Sequence, residues 1–253
     1  MNRRDMLKVA GSAFAGASIF GPSAFGNNKE SAESNKVPKV LIIGAHPDDP
    51  ETTCGGTILK LKEAGYEVVA VYMTKGQSGI KGKSHEEAAA IREEEARNAC
   101  EVLGIRPVFM TQIDGYSEIN VDRYDEMREL IIRENPDMVF THWTLDLHRD
   151  HRVCSCLVLE AWKRLKYKFE LYFFEPMTGA QAQLFHPTDY VDITSVAEQK
   201  KKKACYCHVS QGMEGIYNNW HHHMEQFRGI ENHCKRAEAF IHMRRTGNDI
   251  FDK

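Results

Sequence analysis

Gly44-Ala45-His46-Pro47-Asp48-Asp49-Pro50-Glu51 follows the apolar run Val40-Leu41-Ile42-Ile43 and precedes Cys54-Gly55-Gly56-Thr57 and a helical pattern. A buried strand that ends in a loop dense with His and Asp puts polar groups where burial is costly, so they need partners or an ion. His46 and Asp49 are three apart, and one turn of chain aims both at one point. Imidazole nitrogen with carboxylate oxygen is a donor mix that zinc accepts. Asp48, beside Asp49, is placed to act as a base next to such an ion. The same residues also fit a helix N-terminus capped by Asp48 or Asp49, so the rest of the chain must decide between the two readings.

Outward from this stretch the chain alternates strand and helix. Val40 to Ala45 reads as the first strand, and the helix that includes Thr57 to Ala64 stops at Gly65. Glu67 to Thr74 is the second strand. A Gly-rich loop, Gly76 to Gly82, leads into a helix from about Ser84 to Leu103, with a Ser84/Glu87 capping box and Gly104 as its stop. Pro107 to Thr111 is a short third strand, Val121 to Glu134 a helix, Met138 to Thr141 the fourth strand, His151 to Leu165 a helix and Leu171 to Phe174 the fifth strand. This order predicts an α/β fold, a Rossmann-like doubly wound sheet, mostly parallel, with helices on both faces. Beyond it the pattern loosens. A short strand is expected at Asp189 to Ile193, with helices at Ser195 to His208 and Glu214 to Phe227. The run Lys200-Lys201-Lys202-Lys203 reads as a solvated helix face, and His221-His222-His223 as surface residues that point three ways.

The second informative stretch follows strand four: His142-Trp143-Thr144-Leu145-Asp146-Leu147-His148-Arg149-Asp150-His151-Arg152. His148 and His151 repeat the three-residue spacing of His46 and Asp49, again just past a strand end and at the opening of a helix. In a sheet of order 3-2-1-4-5 the first and fourth strands are neighbours, and ligands bind in the crevice between their carboxyl ends. Both clusters therefore fall at one crevice, which favours the metal reading over a helix cap. His46, Asp49 and one histidine of the second cluster give two nitrogens and a carboxylate and leave a position open, the catalytic pattern for zinc. With an adjacent carboxylate, that is equipment for hydrolysing an amide or ester. Trp143 reads better as core than as a sugar platform, Asp146 as a brace for its loop, and His142 suits ligation less well than its neighbours do.

Ala45-His46-Pro47-Asp48-Asp49 and His148-Arg149-Asp150-His151 resemble the two signature motifs of the PIG-L (LmbE-like) zinc deacetylases, which remove acetyl from N-acetylglucosamine units. The resemblance runs from about Lys39 to Phe240. It includes Gly55-Gly56-Thr57, Ile91-Arg92-Glu93-Glu94-Glu95, Lys203 through His208-Val209-Ser210-Gln211, and Ala237-Glu238-Ala239-Phe240. It implies that His46, Asp49 and His151 hold zinc, one ion per chain, or another divalent ion such as ferrous iron (Fe2+). It makes Asp48 the general base, His148 the group that stabilises the oxyanion or protonates the leaving amine, and Asp150 the residue that orients or tunes His148. Arg92 matches an arginine that contacts substrate, and His208 an active-site position filled by His or Tyr. By spacing alone, Arg92 fits a surface pair with Glu95 equally well, and His208 a helix face. Pro50, inserted before Glu51, departs from part of the family and puts the role of Glu51 in doubt. The activity implied is removal of the N-acetyl group from a small-molecule or glycan substrate bearing N-acetylglucosamine. An amidase acting on a larger acyl group, or a non-catalytic glycan-binding protein, are the competing readings.

Composition bounds the rest. The chain has 253 residues, 42% hydrophobic and 27% charged, with a formal net charge of -3. That fits a soluble globular protein with a sizeable core and lacks the basic footprint of a nucleic-acid binder. Arg3-Arg4 before the mild apolar segment Val9 to Phe20, with Ala24-Phe25-Gly26 offering small residues, read as a twin-arginine export signal over residues 1–26. That segment is too short and Gly-rich for a stable membrane anchor. Residues 27–37 are a polar linker and 38–253 a single domain. The expected location is therefore the periplasm. Seven cysteines cannot all pair, and most read as small core residues. Folding in a reducing compartment before export would fit that usage.

Overall fold

A computed structural model describes residues 36–176 and 179–244. The expected export signal and nearly all of the expected linker lie outside the described residues. Seven strands form one sheet: β1 (Lys39–Gly44), β2 (Glu67–Thr74), β3 (Arg106–Gln112), β4 (Met138–His142), β5 (Glu170–Phe174), β6 (Asp189–Asp192) and β7 (Ala237–Met243), in the order β3-β2-β1-β4-β5-β7-β6. The first five are parallel in the expected order, with Leu41 of β1 between Val69 of β2 and Val139 of β4. Helices α1 (Asp49–Glu63), α2 (His85–Leu103), α3 (Val121–Glu134) and α4 (Arg149–Arg164) make the crossovers.

Strand alternation distributes the core. Leu41, Ile43, Val69, Val71 and Val139 face α3 and α4 through Met127, Leu130, Val153, Leu157 and Trp162. Val40, Ile42, Val68 and Phe140 face the other way, onto Ile58, Leu61, Leu103, Ile193 and Phe240. Both faces are covered, as a parallel sheet requires. No helix among the described residues is long and apolar enough to cross a membrane. The cysteines are free, and Cys54, Cys100, Cys154 and Cys205 are buried as small core residues.

Three features of the C-terminal half differ from the sequence expectation. β7 has no counterpart in the sequence reading. It runs antiparallel between β5 and β6. Its signal was broken by Glu238, an acid in the middle of a strand. That carboxylate is fully buried and accepts from the amides of Gly56 (2.9 Å) and Thr57 (2.7 Å) on α1 and from Lys201 Nζ (2.5 Å). The lysine run is the second difference. Lys201 is not solvated but fully buried, with Glu225 as its other partner at 2.9 Å. It lies on a wide π-type turn, Ala197–Lys201, which rotates it inward ahead of α5 (Lys202–Tyr206). Third, a similar turn at Tyr217–His221, between α6 (Met213–Ile216) and α7 (His222–Glu231), buries His221 against Tyr217, so the histidine run is only partly a surface feature.

Candidate metal centre

The loops after β1, β3 and β4 meet above the carboxyl ends of these strands. β1 ends at Gly44, where a Cβ would stand 2.6 Å from that of Asp49 and 2.9 Å from Pro50 Cδ, so only glycine lets α1 start this close to the strand. Pro50 sits in the first turn, where its missing amide is not needed. Asp49 Oδ2 accepts from the amides of Ala45 (2.9 Å) and His46 (2.7 Å). That fixes the carboxylate and leaves Oδ1 facing His151 Nε2 at 3.5 Å. Asp49 Oδ2 also lies 3.5 Å from His46 Nδ1. Neither aspartate is a side-chain helix cap, because the Asp48 side chain makes no capping bond and Asp49 turns back to the strand.

The donors fit a divalent cation. Two ligands of a tetrahedral zinc at about 2.0–2.2 Å stand roughly 3.3–3.6 Å apart, and the two contacts of Asp49 match that spacing. Ligand atoms of His46, His148 and His151 lie within 4.8 Å of one another, as do those of Asp49, His142 and His151, and of His46, Asp114 and Asp150. The cluster also carries surplus negative charge. Burial works against protonating His46, yet Asp114, Asp150 and Asp49 outweigh it and raise its pKa well above the ordinary value. Burial pushes the Asp49 carboxyl up, but His142 and His151 hold it well below the usual carboxylate range. A site that draws a proton onto a buried histidine is one that a cation would neutralise.

Asp48 is held differently. Its backbone lies at φ 129, a strained conformation for a residue with a side chain. Arg92 secures it, with Nη2 donating to the carbonyl of Pro47 at 2.5 Å and to Asp48 Oδ2 at 3.0 Å. The alternative that spacing allowed, a surface pair of Arg92 with Glu95, does not form. Arg92 is buried, and Glu95 instead accepts from the amide and hydroxyl of Ser210. Gly76 and Gly79 make room for the guanidinium, since a Cβ at either would come within 2.6 Å of it. Burial raises the Asp48 pKa, with Arg92 opposing and Asp49 reinforcing the rise. Asp48, His148 and Arg92 all line a cavity of about 360 Å³ above the cluster.

Several residues stand where the sequence did not put them. The Asp150 carboxylate does not orient His148. It sits 3.3 Å from His46 Nε2 and accepts from the Gly115 amide (2.7 Å) and Ser117 Oγ (2.5 Å). Only the backbone amide of Asp150 reaches His148, donating to Nδ1 at 3.2 Å. His148 therefore carries its neutral-ring proton on Nε2. Burial, with His46 and His151 nearby, lowers the His148 pKa and favours that neutral form. His208 does not line the cavity. It is fully buried beneath it, 3.6 Å from Glu51, whose other oxygen bonds the Tyr72 hydroxyl. Burial opposes protonation of His208, but Glu51 and then Asp48 outweigh it and raise its pKa. Glu51 thus serves a buried polar layer below the site.

Three contributors were missed or underrated. Asp114, on the loop after β3, lies 3.2 Å from His46 Nε2. Its signal was an Asp-Gly step directly after a strand. Asp146 does more than brace its loop, for Oδ2 meets His151 Nδ1 at 3.0 Å while Oδ1 accepts from the His148 amide at 2.7 Å. His142 Nε2 lies 3.0 Å from Asp49 Oδ2, with its ring stacked 3.8 Å from that of His151. Trp143 packs edge-on against Phe173 and Phe185, as expected of a core residue. Because carboxylate partners of ligand histidines fix ring orientation, Asp146→Ala is expected to weaken metal binding by roughly 10- to 100-fold. Titration against a competing chelator measures this, and unchanged affinity would remove Asp146 from the site.

Residues 41–162 match the PIG-L family, described as GlcNAc-PI de-N-acetylase. The chain is 32% identical to the uncharacterised deacetylase YaiS of Escherichia coli, over 47% of this chain and 65% of that protein. It is 33% identical to diacetylchitobiose deacetylase of Thermococcus kodakarensis, over 74% of each chain. The solved N,N'-diacetylchitobiose deacetylase of Pyrococcus horikoshii superposes with a TM-score of 0.68 at 28% identity, covering 81% of this chain and 83% of that one. The 4-carboxy-2-hydroxymuconate hydratase of Pseudomonas putida superposes with a TM-score of 0.72 at 23% identity, covering 85% of this chain and 100% of that one. That likeness speaks to the fold alone, which therefore does not fix the reaction.

Proposed function

Because the chain belongs to the PIG-L family, we propose that it is a metal-dependent hydrolase that removes the N-acetyl group from an N-acetylglucosamine-containing substrate. One observation carries the reading. Asp48 lines the cavity directly beside the metal-competent cluster, but its carboxylate is bonded to Arg92 rather than to the cluster's donors. A site that only bound a glycan would have no use for a separate, strained carboxylate with a raised pKa.

His46, Asp49 and His151 would hold the ion, and zinc suits this donor set. When bound, the ion supplies Lewis-acid polarisation and makes water more acidic. Asp48 accepts the proton that water gives up as it attacks the amide carbon. Arg92 keeps Asp48 aimed into the cavity. His148, with Nδ1 engaged by the Asp150 amide, presents Nε2–H to the oxygen that becomes negative. The amine departs with a proton, and acetate is the other product. The test is acetate release from N-acetylglucosamine glycosides by metal-loaded protein, run beside the N-butyryl analogues. Preference for butyryl would favour the larger-acyl amidase, and no release from either would end the hydrolase reading.

Export by the twin-arginine route is part of the proposal. Arg3-Arg4 and the mild apolar segment support it, as do cysteines left free. Changing Arg3→Lys together with Arg4→Lys should trap the protein in the cytoplasm. An unchanged periplasmic yield would count against it.

A further inference from the structure

Trp143 stands directly after β4 and carries one polar group, its indole N–H. The ring packs edge-on against Phe173 and Phe185, which accounts for its apolar surface but not for that donor. The N–H donates to the Gln183 carbonyl at 2.8 Å. Gln183 and Phe185 belong to one short segment, residues 181–185, so Trp143 holds that segment at two points. Leu184, between them, lies at φ 53, a left-handed conformation that is strained for leucine. Its side chain is 71% exposed, so its own packing does not explain the strain. The turn lets the Gln183 carbonyl and the Phe185 ring meet the same indole, and such strain persists only where the surroundings impose it.

The segment held in this way is clasped to the loop between β4 and α4. The Gln183 amide donates to the Leu145 carbonyl at 2.9 Å, and the Leu147 amide to the Gln181 carbonyl at 3.0 Å. These two bonds make an antiparallel bridge that sets Ala182 opposite Asp146. The chain is thus fixed on either side of Asp146, whose carboxylate spans two histidines. Its Oδ2 meets His151 Nδ1 at 3.0 Å, and its Oδ1 accepts from the His148 amide at 2.7 Å. Arg152 secures the same loop from α4 by donating to the carbonyls of Asp146 (2.7 Å) and Leu147 (2.8 Å). It leaves the Leu145 carbonyl and the Leu147 amide to the 181–183 segment.

We infer that Trp143 is a positioning residue for the metal centre. Its N–H fixes the 181–183 segment, that segment fixes the loop at Leu145 and Leu147, and the loop aims Asp146 at His151. This role rests on the metal-dependent reading and belongs to the N–H, not to the ring. A side chain that only filled the core would serve as well without the nitrogen.

The experiment measures zinc affinity by chelator competition in Trp143→Phe, in Asp146→Ala and in the double variant, with a thermal melt of each metal-free protein. Phenylalanine keeps an aromatic ring against Phe173 and Phe185 and removes the donor. Zinc binding by Trp143→Phe is expected to weaken about three- to tenfold, the share of one hydrogen bond. In the Asp146→Ala background the same change should weaken it by less than about twofold, because the residue through which it acts is gone. An equal loss in both backgrounds overturns the proposal. So does unaltered zinc affinity in Trp143→Phe, even where its melting temperature falls, since that is the mark of a purely structural residue. If Trp143→Phe does not fold, replacing Trp143 by benzothienylalanine keeps the bicyclic ring without the N–H, and the same two outcomes decide. An unaltered protein that binds no zinc defeats the metal-centre reading itself, whereas zinc bound equally well without the N–H defeats only the role of Trp143.

Discussion

Asp48→Asn is expected to keep near-normal metal content while turnover of an N-acetylglucosaminide falls on the order of 100- to 10,000-fold, the usual loss on removing a general base. The geometry makes this substitution informative. Asp48 bonds to Arg92, not to a histidine of the cluster, so removing its charge takes no donor from the ion. The new amide keeps the size and one oxygen of the carboxylate, and Arg92 retains the Pro47 carbonyl, 2.5 Å away. What disappears is the ability to take a proton. Metal content and acetate release should be measured on one preparation. Activity that survives with metal in place would refute the base assignment. Loss of metal instead would mean that Asp48 and Asp49 have exchanged roles.

The residues legible in the sequence share one property: their placement follows from strand ends. His46 and Asp49 follow the end of β1, His148 and His151 lie on the loop and first helical turn after β4, and the parallel order makes β1 and β4 neighbours. Asp114 was not legible because β3 is two strands away from β1, and its loop reaches the site only by folding back over the sheet. Asp150 does not orient His148 through its carboxylate, which is claimed by Gly115 and Ser117 from that same loop and acts on that ring only through its charge. His208 and Lys201 depend on the course of the chain through the C-terminal turns. A π-type turn changes which side of a helix faces inward, so helical periodicity could not reveal that Lys201 is buried beside two acids.

Metal loss is the other large effect, and the variants should divide into two groups. His151→Ala and His46→Ala are expected to lose the ion and, with it, turnover to below the level of the base variant, more than about 10,000-fold down. Asp49→Ala should do the same but is a poorer test. It leaves the amides of Ala45 and His46 without their carboxylate acceptor, and an unsatisfied buried donor costs about 1–3 kcal/mol. Folding and binding would then fail together. His142→Ala decides the composition of the ligand set. Burial, with His151 adjacent, lowers the His142 pKa to about 4, so the ring is neutral at neutral pH. A neutral imidazole beside Asp49 could act either as a ligand or as an orienting partner. Its Nε2 lies 3.0 Å from Asp49 Oδ2 and, protonated, donates to it, while the Ala45 amide donates to the same oxygen at 2.9 Å. This geometry assigns it to orientation, so His142→Ala should weaken the metal by roughly 10- to 100-fold without abolishing it. Chelator titration of the three histidine variants separates the cases. Complete metal loss in His142→Ala, with the ion retained in His46→Ala, would move the site from His46 to His142.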